Sequence, residues 1–447
     1  MIKAIKNNAL ALREKFGTKK LVAFVALVVV AVVGVNLVLF GSFNKLSFFS
    51  QPGTLSSIIE AENGTLTIPA TVESNTAASG GKDVLLTTSK SKPVFIIYYL
   101  WWDKSHWTSH LGTSYPTTQI PNPLPSTYTE DTTTNKCGST TNYPLNVLND
   151  VSQNLAYDQS NYQTVLTDVK QAAATGATGF SVNWIGTGLA GQTEASSDYN
   201  KRLAFVFQAV HEINAQGIPF KIMINYQSSA SFNTTTQTGV TLTQFTNDFN
   251  YLLATYGSDP ALDHTYSPKL ENYLAGTWKY QDADMKAMSD LFRPTMYLIG
   301  DEKGGNTGNA SWNSTLNNKY HYKFFDAASY YWSSQDPYNN AASFSQLKSF
   351  QTEIKSTKNP DGSDKMWLAP FSPGYNGLLY YAGSTTCIPR YAGNTMKLLY
   401  DGNLASNPDG WAFISWNEVT EGTYIVPLTR YGDSFTNYLK NIIVNGL

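Results

Sequence analysis

The sequence lacks the residues that several kinds of site and partner require. Only two of its 447 residues are cysteines, Cys137 and Cys387, which is too few for a disulfide scaffold or a multi-cysteine metal centre. These two can form one bridge outside the cytosol, and the sequence leaves open whether they pair. The formal net charge is -2, so the long-range field that attracts a phosphate backbone is missing. Nucleic acid is not expected as a partner.

Recognisable metal and nucleophile motifs are missing as well. The five histidines include no H-E-x-x-H pattern, and His106 and His110 have no acidic partner at ligand spacing. The chain has no G-x-S-x-G elbow, and no predicted strand is followed by a G-x-G-x-x-G or P-loop pattern of glycines. We therefore expect no metal and no cofactor.

Apolar and aromatic residues dominate the composition instead. Hydrophobic residues make up 42% of the chain, including 28 tyrosines, 22 phenylalanines and 10 tryptophans, whereas charged residues make up only 14%. An average soluble domain has roughly 25% charged residues, so this surface must depend on Ser, Thr and Asn for its polarity. The composition excludes a disordered chain and suits a large core with an extracytoplasmic, sugar-facing surface.

One long hydrophobic run, residues 21–40, lies near the N-terminus. It has no charged side chain, and its twenty residues suffice to cross a ~30 Å hydrocarbon core as one helix. Six basic residues and one acidic residue precede it, so the positive-inside rule predicts a cytoplasmic tail at residues 1–20 and an extracytoplasmic remainder. The run is longer than the ~7 to 15 apolar residues of a cleaved signal peptide, and no A-x-A site follows. We predict an uncleaved, single-pass membrane anchor.

Residues 41–92 are rich in Ser, Thr, Gly and Asn, which is the composition of a stalk. Within them, residues 59–64 and 78–82 resemble the opening strands of a carbohydrate-binding β-sandwich module. A complete sandwich needs about 100 residues. We therefore interpret this region as a partly extended linker.

Residues 93–447 alternate between short apolar runs and amphipathic stretches, the pattern of βα units. The predicted strands are residues 94–100, 179–184, 220–226, 296–300, 322–327, 366–371 and 412–416, with an eighth near 274–278. The predicted helices are residues 162–174, 201–216, 242–256, 343–354, 395–404 and 434–443. We expect an α/β fold, a (β/α)8 TIM-type barrel that forms a catalytic domain. A doubly wound open sheet is the alternative, and the missing phosphate-binding glycine pattern argues against it.

The carboxyl ends of the strands, where a barrel of this type forms its active site, are aromatic and polar in this sequence. Aromatic faces stack on the C–H faces of sugar rings, although aromatic rings also fill protein cores. The candidate substrate-binding residues after the first three strands are Tyr98, Tyr99, Trp102, His106, Trp107, Asn183, Trp184 and Tyr226.

Two glutamates, Glu418 and Glu421, follow the last predicted strand. At the mouth of a barrel, burial and mutual repulsion separate the pKa values of such a pair and leave one carboxyl protonated and the other ionised. Glycoside hydrolysis needs this division, because the leaving oxygen must be protonated while charge at the anomeric carbon is supported from the other side. A solvated pair that caps a turn is the alternative interpretation. Asp301 and Glu302, after another strand, form a reserve pair.

Three motifs, in the same order along the chain, resemble those of one known enzyme family. Residues 97–107 are similar to Y-Y-P-W-Y followed by H-W, and residues 157–184 to Y-D-S, a helix and A-G-I-D-G-F. Residues 371–375 and 415–423 look like P-G-Y and S-W-N-E-W-H-E-G-T, the most specific of the three. The family is glycoside hydrolase family 99, the endo-α-mannosidases and endo-α-mannanases, and the resemblance spans residues 93–447.

This resemblance implies a barrel outside the cytosol that cuts within α-mannosidic chains with net retention and without a metal. By motif, Glu418 matches the residue that acts as a base on the 2-hydroxyl of the sugar, and Glu421 matches the general acid and then base. The implied intermediate is a 1,2-anhydro sugar, which needs a manno-configured residue because O1 and O2 are trans only there. Tyr375, Trp416 and Asn417, from the third motif, join the expected substrate-binding residues.

Departures from the family pattern leave the substrate partly open. Val419 and Thr420 stand where the family has Trp and His, and Leu100 stands where it has Pro, so the linkage that is cut is not determined. WbsX-type domains, with W-N-E-W-x-E-G-T, and the α-1,3-glucanases of family 71, with W-N-D-x-x-E-S, have similar endings. We expect a membrane-anchored, extracytoplasmic retaining endo-glycosidase that acts on α-mannan-like glycans. A non-catalytic surface glycan-binding protein is the alternative.

Overall fold

The computed structural model describes most of the chain after residue 91 and two short strands before it. The described residues are 71–74, 82–85, 92–103, 105–106, 157–188, 196–228, 239–302, 321–376, 386–428 and 431–445. The predicted cytoplasmic tail 1–20, the predicted membrane helix 21–40 and most of the predicted stalk lie outside these residues. The chain divides into two units, Met1–Thr87 and Thr88–Leu447.

The described part of the first unit is a pair of antiparallel strands. Strand β1, Thr71–Ser74, pairs with β2, Lys82–Leu85. These strands fall inside the segment that the sequence predicts to be partly extended.

None of the described helices is both long enough and apolar enough to cross a membrane.

The second unit is built around a closed barrel of eight parallel strands, as the sequence predicts. Its last strand, β12 Gly410–Phe413, pairs with β9 Met366–Phe371 on one side and with β3 Val94–Tyr99 on the other, which closes the sheet. The barrel strands are β3 Val94–Tyr99, β4 Gly179–Trp184, β5 Lys221–Gln227, β6 Leu270–Ala275, β7 Met296–Asp301, β8 Ala327–Ser329, β9 Met366–Phe371 and β12 Gly410–Phe413.

Within the described residues an α-helix follows every barrel strand except β7, in keeping with a (β/α)8 fold. Two of these helices begin at side-chain caps, since the side chains of Asn161 and Thr241 accept hydrogen bonds from the first-turn amides of Gln163 and Gln244. The described helices are α1 Tyr162–Ala174, α2 Ser196–Ala215, α3 Leu242–Tyr256, α4 Asp282–Phe292, α5 Ala342–Ser356, α6 Asn394–Leu404 and α7 Ser434–Asn445.

Alternate side chains of each strand face two different cores. Phe95 of β3 lies inside the barrel with Met223, Tyr273 and Leu368. Its neighbour Ile96 faces outward into the larger core between the sheet and the helices. Burial on both faces explains why these strands read as nearly continuous apolar runs. The same alternation decides which residues at the strand ends point into the barrel mouth.

The predicted strand at residues 322–327 is wrong for most of its length. Tyr322–Phe324 forms a 3-10 turn closed by a hydrogen bond from Phe325 N to the Tyr322 carbonyl, and β8 begins only after it. An aromatic run has a high strand propensity, but the Phe325 ring fills the space above Gly300 of β7, where a side chain would otherwise lie. Tertiary packing therefore decides the backbone conformation here.

Other element boundaries and one helix also differ from the prediction. The eighth strand is β6, which begins before the predicted residues 274–278, and helix α4 is absent from the predicted set. Strand β12 ends at Phe413, so residues 414–416 belong to the loop that follows it.

Gly179, at the start of β4, lies against the backbone of β5, and a methyl group there would collide with the carbonyl oxygen of Lys221. We expect Gly179→Ala to lower the free energy of unfolding by about 1–3 kcal/mol, the usual cost of overpacking an interior. Gly188→Ala is the control, because nothing lies within 4 Å of its added Cβ, and it should change the free energy by less than about 0.5 kcal/mol. Urea denaturation of the full chain measures both, and equal values would contradict the strand contact.

Candidate active site

Residues 414–425, which follow β12, carry both glutamates, and we call them the acidic loop. The loop folds back on itself because Ser415 N donates to the Thr423 carbonyl at 3.0 Å. It is tied to the first barrel strand by a 2.8 Å hydrogen bond from Trp416 N to the Ile97 carbonyl. The loop therefore starts at the barrel mouth, beside the end of β3.

Asn417 holds the acidic loop against β3. Its Oδ1 accepts a hydrogen bond from Tyr99 N at 2.8 Å, and its Nδ2 donates to the Tyr99 carbonyl at 2.9 Å. Its Nδ2 also donates to the Tyr157 hydroxyl at 2.9 Å, and its carbonyl accepts from the Trp102 indole at 2.5 Å. Asn417 is 0% exposed. The prediction that Asn417 binds substrate is therefore corrected: its side chain positions the neighbouring Glu418.

Glu418 is a buried carboxyl that is coupled to Glu421. The hydroxyl of Thr420 donates to its Oε1, and its own N donates to Ser415 Oγ at 2.9 Å. Burial raises the pKa of Glu418 well above its ordinary value, and the charge of Glu421 raises it further. Glu421 itself is half-buried. The two carboxyls thus have the unequal environments that one protonated and one ionised group require.

Two tyrosines show which way the glutamates face. The hydroxyls of Tyr99 and Tyr331 lie 2.9 Å apart. Burial raises the pKa of both tyrosines well above the ordinary value, and the charges of Glu418 and Glu421 raise both further. Tyr99 shares a small apolar cluster with Ile97, an inward-facing residue of β3. Both carboxyls therefore act on one region at the barrel mouth, beside Tyr99.

Four aromatic residues that the sequence predicts at this site face the helices instead. They are Tyr98, Trp184, Tyr226 and Trp416, all 0% exposed. The Tyr226 hydroxyl donates to Asp248 of α3 at 2.6 Å, and the Trp184 indole donates to Asn200 of α2 at 2.7 Å. Their predicted role as sugar platforms is corrected to packing between the sheet and the helices.

Trp102 and His106 lie beside the end of β3 and are also buried, at 0% and 5% exposure. The His106 ring stacks on Trp101, with 5.5 Å between ring centroids, and Trp101 stacks on Tyr99 at 4.3 Å. Trp101 is half-buried, so it is the most exposed of the three rings in this stack, although the sequence did not single it out. The predicted Trp107 lies outside the described residues.

The inner face of the barrel mouth carries amide side chains, which are the strand neighbours of Trp184 and Tyr226. Asn183 pairs in register with Asn225, and Asn183 Nδ2 donates to Gln227 Oε1 at 3.1 Å. The Oδ1 atoms of Asn183 and Asn225 are buried and accept no hydrogen bond within the described part of the chain. Buried acceptors of this kind suit the hydroxyls of a sugar. Asn183 was predicted, and strand alternation would have selected Asn225 and Gln227 over Tyr226.

The reserve pair does not form a single site. Asp301 lies at the barrel mouth, where its carboxylate accepts from Tyr331 N at 2.7 Å and from Gly276 N at 3.3 Å. Glu302 is 0% exposed and accepts from His321 N at 2.7 Å. Asp301 is therefore a further polar group of the mouth, and Glu302 holds the segment that leads to β8.

A short antiparallel ribbon borders the acidic loop. Strand β10, Tyr375–Asn376, pairs with β11, Cys387–Ile388, and Asn376 N donates to the Glu421 carbonyl at 2.7 Å. This bond places the predicted Tyr375 next to the loop. Cys387 is disulfide-bonded, and the only other cysteine of the sequence, Cys137, lies outside the described residues.

The arrangement favours proton transfer by paired carboxyls. The site combines a coupled glutamate pair, two hydrogen-bonded tyrosine hydroxyls, a half-buried tryptophan and two amide oxygens that accept no hydrogen bond from any described residue. In the residues that the structure describes, no three His, Cys, Asp or Glu side chains converge as a metal site. The chemistry available from these groups is general acid and base catalysis on a hydroxyl-rich ligand.

Comparison with known proteins identifies the fold. No family model matches the sequence, and no curated protein matches it. The structure is similar to that of the family 99 endo-α-mannosidase from Bacteroides thetaiotaomicron in complex with Bis-Tris propane, with a TM-score of 0.54, 16% identity, and coverage of 80% of this chain and 98% of that chain. A second structure of that endo-α-mannosidase matches with a TM-score of 0.52, 16% identity, and coverage of 79% and 97%. The chain therefore has a family-99-like glycoside hydrolase fold.

The coupling of the two glutamates predicts opposite shifts in two variants. In Glu421→Gln the pKa of Glu418 should fall, because the like charge that raises it is removed. In Thr420→Val it should rise, because a hydrogen bond that favours the ionised form is lost. Carboxyl ¹³C NMR of the full chain measures both, with Glu418→Gln to assign the signal. A Glu418 pKa that rises or does not change in Glu421→Gln would show that the carboxyls are not coupled.

Proposed function

We propose that the chain is a retaining endo-glycosidase that hydrolyses α-mannosidic linkages. One observation carries the proposal: Glu418 and Glu421 act on each other and on the same two tyrosines at the mouth of a family-99-like barrel. They occupy the two acidic positions of the S-W-N-E-V-T-E-G-T motif. The endo-α-mannosidase of similar fold supports an α-mannosidic substrate.

In the first step Glu418 takes the proton of the 2-hydroxyl while Glu421 protonates the glycosidic oxygen. O2 attacks C1 from the face opposite the leaving oxygen, the C1–O1 bond breaks, and a 1,2-anhydro sugar results. In the second step Glu421 removes a proton from water, the water oxygen attacks C1, the C1–O2 bond breaks, and Glu418 returns its proton to O2. Two inversions at C1 give net retention.

This reaction needs an ionised Glu418 and a protonated Glu421, whereas burial raises the pKa of Glu418 well above its ordinary value in the free protein. Substrate binding reverses the preference in two ways. A sugar 2-hydroxyl that donates to Glu418 favours its ionised form, as the Thr420 hydroxyl already does. A sugar ring that covers the half-buried Glu421 favours its protonated form.

The two departures from the family motif act on the glutamates and not on the ligand. Val419 is 0% exposed and packs in the outer core, which anchors the loop between the two carboxyls. Thr420 is 5% exposed and holds Glu418. We propose that the sugar is bound instead by Trp101 and by the inward polar groups Asn183 and Asn225.

We expect the full chain to release oligosaccharides from α-mannan, with the α-anomer as the first product seen by NMR. Glu418→Gln and Glu421→Gln should each lower the rate by about 100- to 10,000-fold, the usual contribution of an acid or base. Glu353→Gln is the control, because Glu353 is an exposed glutamate of α5 that accepts a hydrogen bond from Tyr322, and its rate should match the wild type. Binding of α-mannan without release would favour a glycan-binding protein, and release from α-1,3-glucan alone would favour a glucanase.

We also propose that residues 21–40 anchor the protein with the barrel on the extracytoplasmic side. The basic tail supports this orientation. The disulfide bond of Cys387 supports it too, since disulfides persist in oxidising compartments.

Protease added to spheroplasts of a bacterial expression host should digest the barrel while a cytoplasmic marker stays intact. The barrel lies beyond the anchor, so it should be accessible before the cells are opened. A barrel that is cut only after lysis would contradict this orientation.

A further inference from the structure

Asp168 of α1 is a buried carboxyl, 2% exposed, that the proposed reaction does not use. Its Oδ2 accepts hydrogen bonds from the hydroxyls of Tyr98 at 2.8 Å and Tyr157 at 2.9 Å. The Trp416 indole faces the same carboxyl. These groups come from β3, the segment before α1 and the acidic loop, and all three are uncharged. A carboxylate in such surroundings is stabilised by hydrogen bonds and not by a neighbouring cation.

One of these hydroxyls connects Asp168 to the active site. A tyrosine hydroxyl has one proton to donate, and Tyr157 directs it to Asp168. Its oxygen then accepts from Asn417 Nδ2 at 2.9 Å. The same Asn417 amide group donates to the backbone carbonyl of Tyr99, and Glu418 directly follows Asn417 in the chain. The donors all point one way, from Asn417 to Tyr157 to Asp168.

We propose that Asp168 is a positioning residue for Glu418, acting through Tyr157 and Asn417. The ionised carboxylate keeps the Tyr157 proton directed at itself, and in this orientation the Tyr157 oxygen accepts from Asn417. Asn417 is thereby oriented to hold the acidic loop against β3. The link to turnover rests on the proposed function, whereas the hydrogen-bonded relay does not.

The relay makes the loop sensitive to pH near neutrality. Burial raises the pKa of Asp168 to about 7, against the effect of the nearby Trp416 indole and of the hydrogen bonds from Tyr98 and Tyr157, which lower it. A protonated Asp168 has a proton of its own to donate and accepts more weakly from the two hydroxyls. As the pH falls through this range, the hold of Tyr157 on Asn417 should weaken and the acidic loop should loosen.

Indole NMR of the full chain tests the relay without a substrate. Trp416 faces Asp168 directly, whereas Trp102 donates to the Asn417 carbonyl at the far end. In the wild type both indole N–H signals, assigned with Trp102→Phe and Trp416→Phe, should shift with a midpoint near pH 7. Both shifts should vanish in Asp168→Asn, and in Tyr157→Phe only the Trp416 shift should remain. A Trp102 shift that survives in Tyr157→Phe, or that is missing in the wild type, overturns the relay.

Hydrolysis of α-mannan tests the link to turnover. Asp168→Asn and Tyr157→Phe should each lower kcat by about tenfold or more, as losses of groups that orient an active residue do, with KM changed by less than about threefold. The double variant should be no slower than the slower single variant, because both interrupt one relay. In Asp168→Asn and in Tyr157→Phe, the acid limb of the plot of kcat against pH should also lack the ionisation near pH 7. Additive losses, or an unchanged acid limb, overturn the positioning role.

Asp248→Asn is the matched control. Asp248 is a helix carboxylate, 0% exposed, that accepts from the Tyr226 hydroxyl at 2.6 Å, just as Asp168 accepts from tyrosines. Its partners Thr187, Gln244 and Tyr226 lie outside the acidic loop. This variant should lose stability but keep kcat and the pH profile, and an equal loss of kcat would overturn the relay. If neither the wild type nor any variant hydrolyses a glycan, the proposed function fails. The indole titration, which needs no substrate, still shows whether the relay exists.

Discussion

A buried loop can hold two carboxyls side by side only if other bonds fix its backbone, and here the Asn417 side chain supplies them. Its amide satisfies both backbone groups of Tyr99 at the point where the first and last barrel strands meet. A buried backbone group without a partner is costly, so the amide satisfies the end of β3 and orients the loop at the same time. The position of Glu418 and Glu421 follows from this contact, as does the closeness of both to Tyr99.

Burial then makes the two glutamates unequal. Glu418 is almost fully enclosed, with Val419 in the apolar core behind it, whereas Glu421 is half-buried. Like charges at close range cannot both ionise without penalty, so the pair tends to hold one proton. Which carboxyl holds that proton depends on the ligand, because a bound sugar changes the burial of one and the hydrogen bonding of the other. The free protein is thus poised for proton exchange within the pair.

Sequence patterns predicted the barrel well and the site only in part. Burial of both strand faces leaves a strong apolar signal, so six of the eight barrel strands are recognisable from the sequence. The aromatic run at residues 322–327 misleads because Phe325 packs against Gly300. The motif around Glu418 and Glu421 identified the acidic loop. The predicted sugar-binding residues Tyr98, Trp184 and Tyr226 face the helices, because side chains alternate along each strand. Their neighbours in the strands face the barrel mouth instead. The contacts of Asn417, Tyr331 and Asp168 join segments far apart in the chain, and no local pattern encodes them.

The central claim is that Glu418 and Glu421 converge on one sugar residue. A crystal structure of the Glu421→Gln variant with a bound α-manno-oligosaccharide tests it most directly. We expect a mannose ring beside Tyr99 and Trp101, with its O2 within about 3.2 Å of a Glu418 oxygen and its glycosidic oxygen next to residue 421. A ligand bound away from the acidic loop, or carboxyl groups turned to opposite sides of it, would contradict the account.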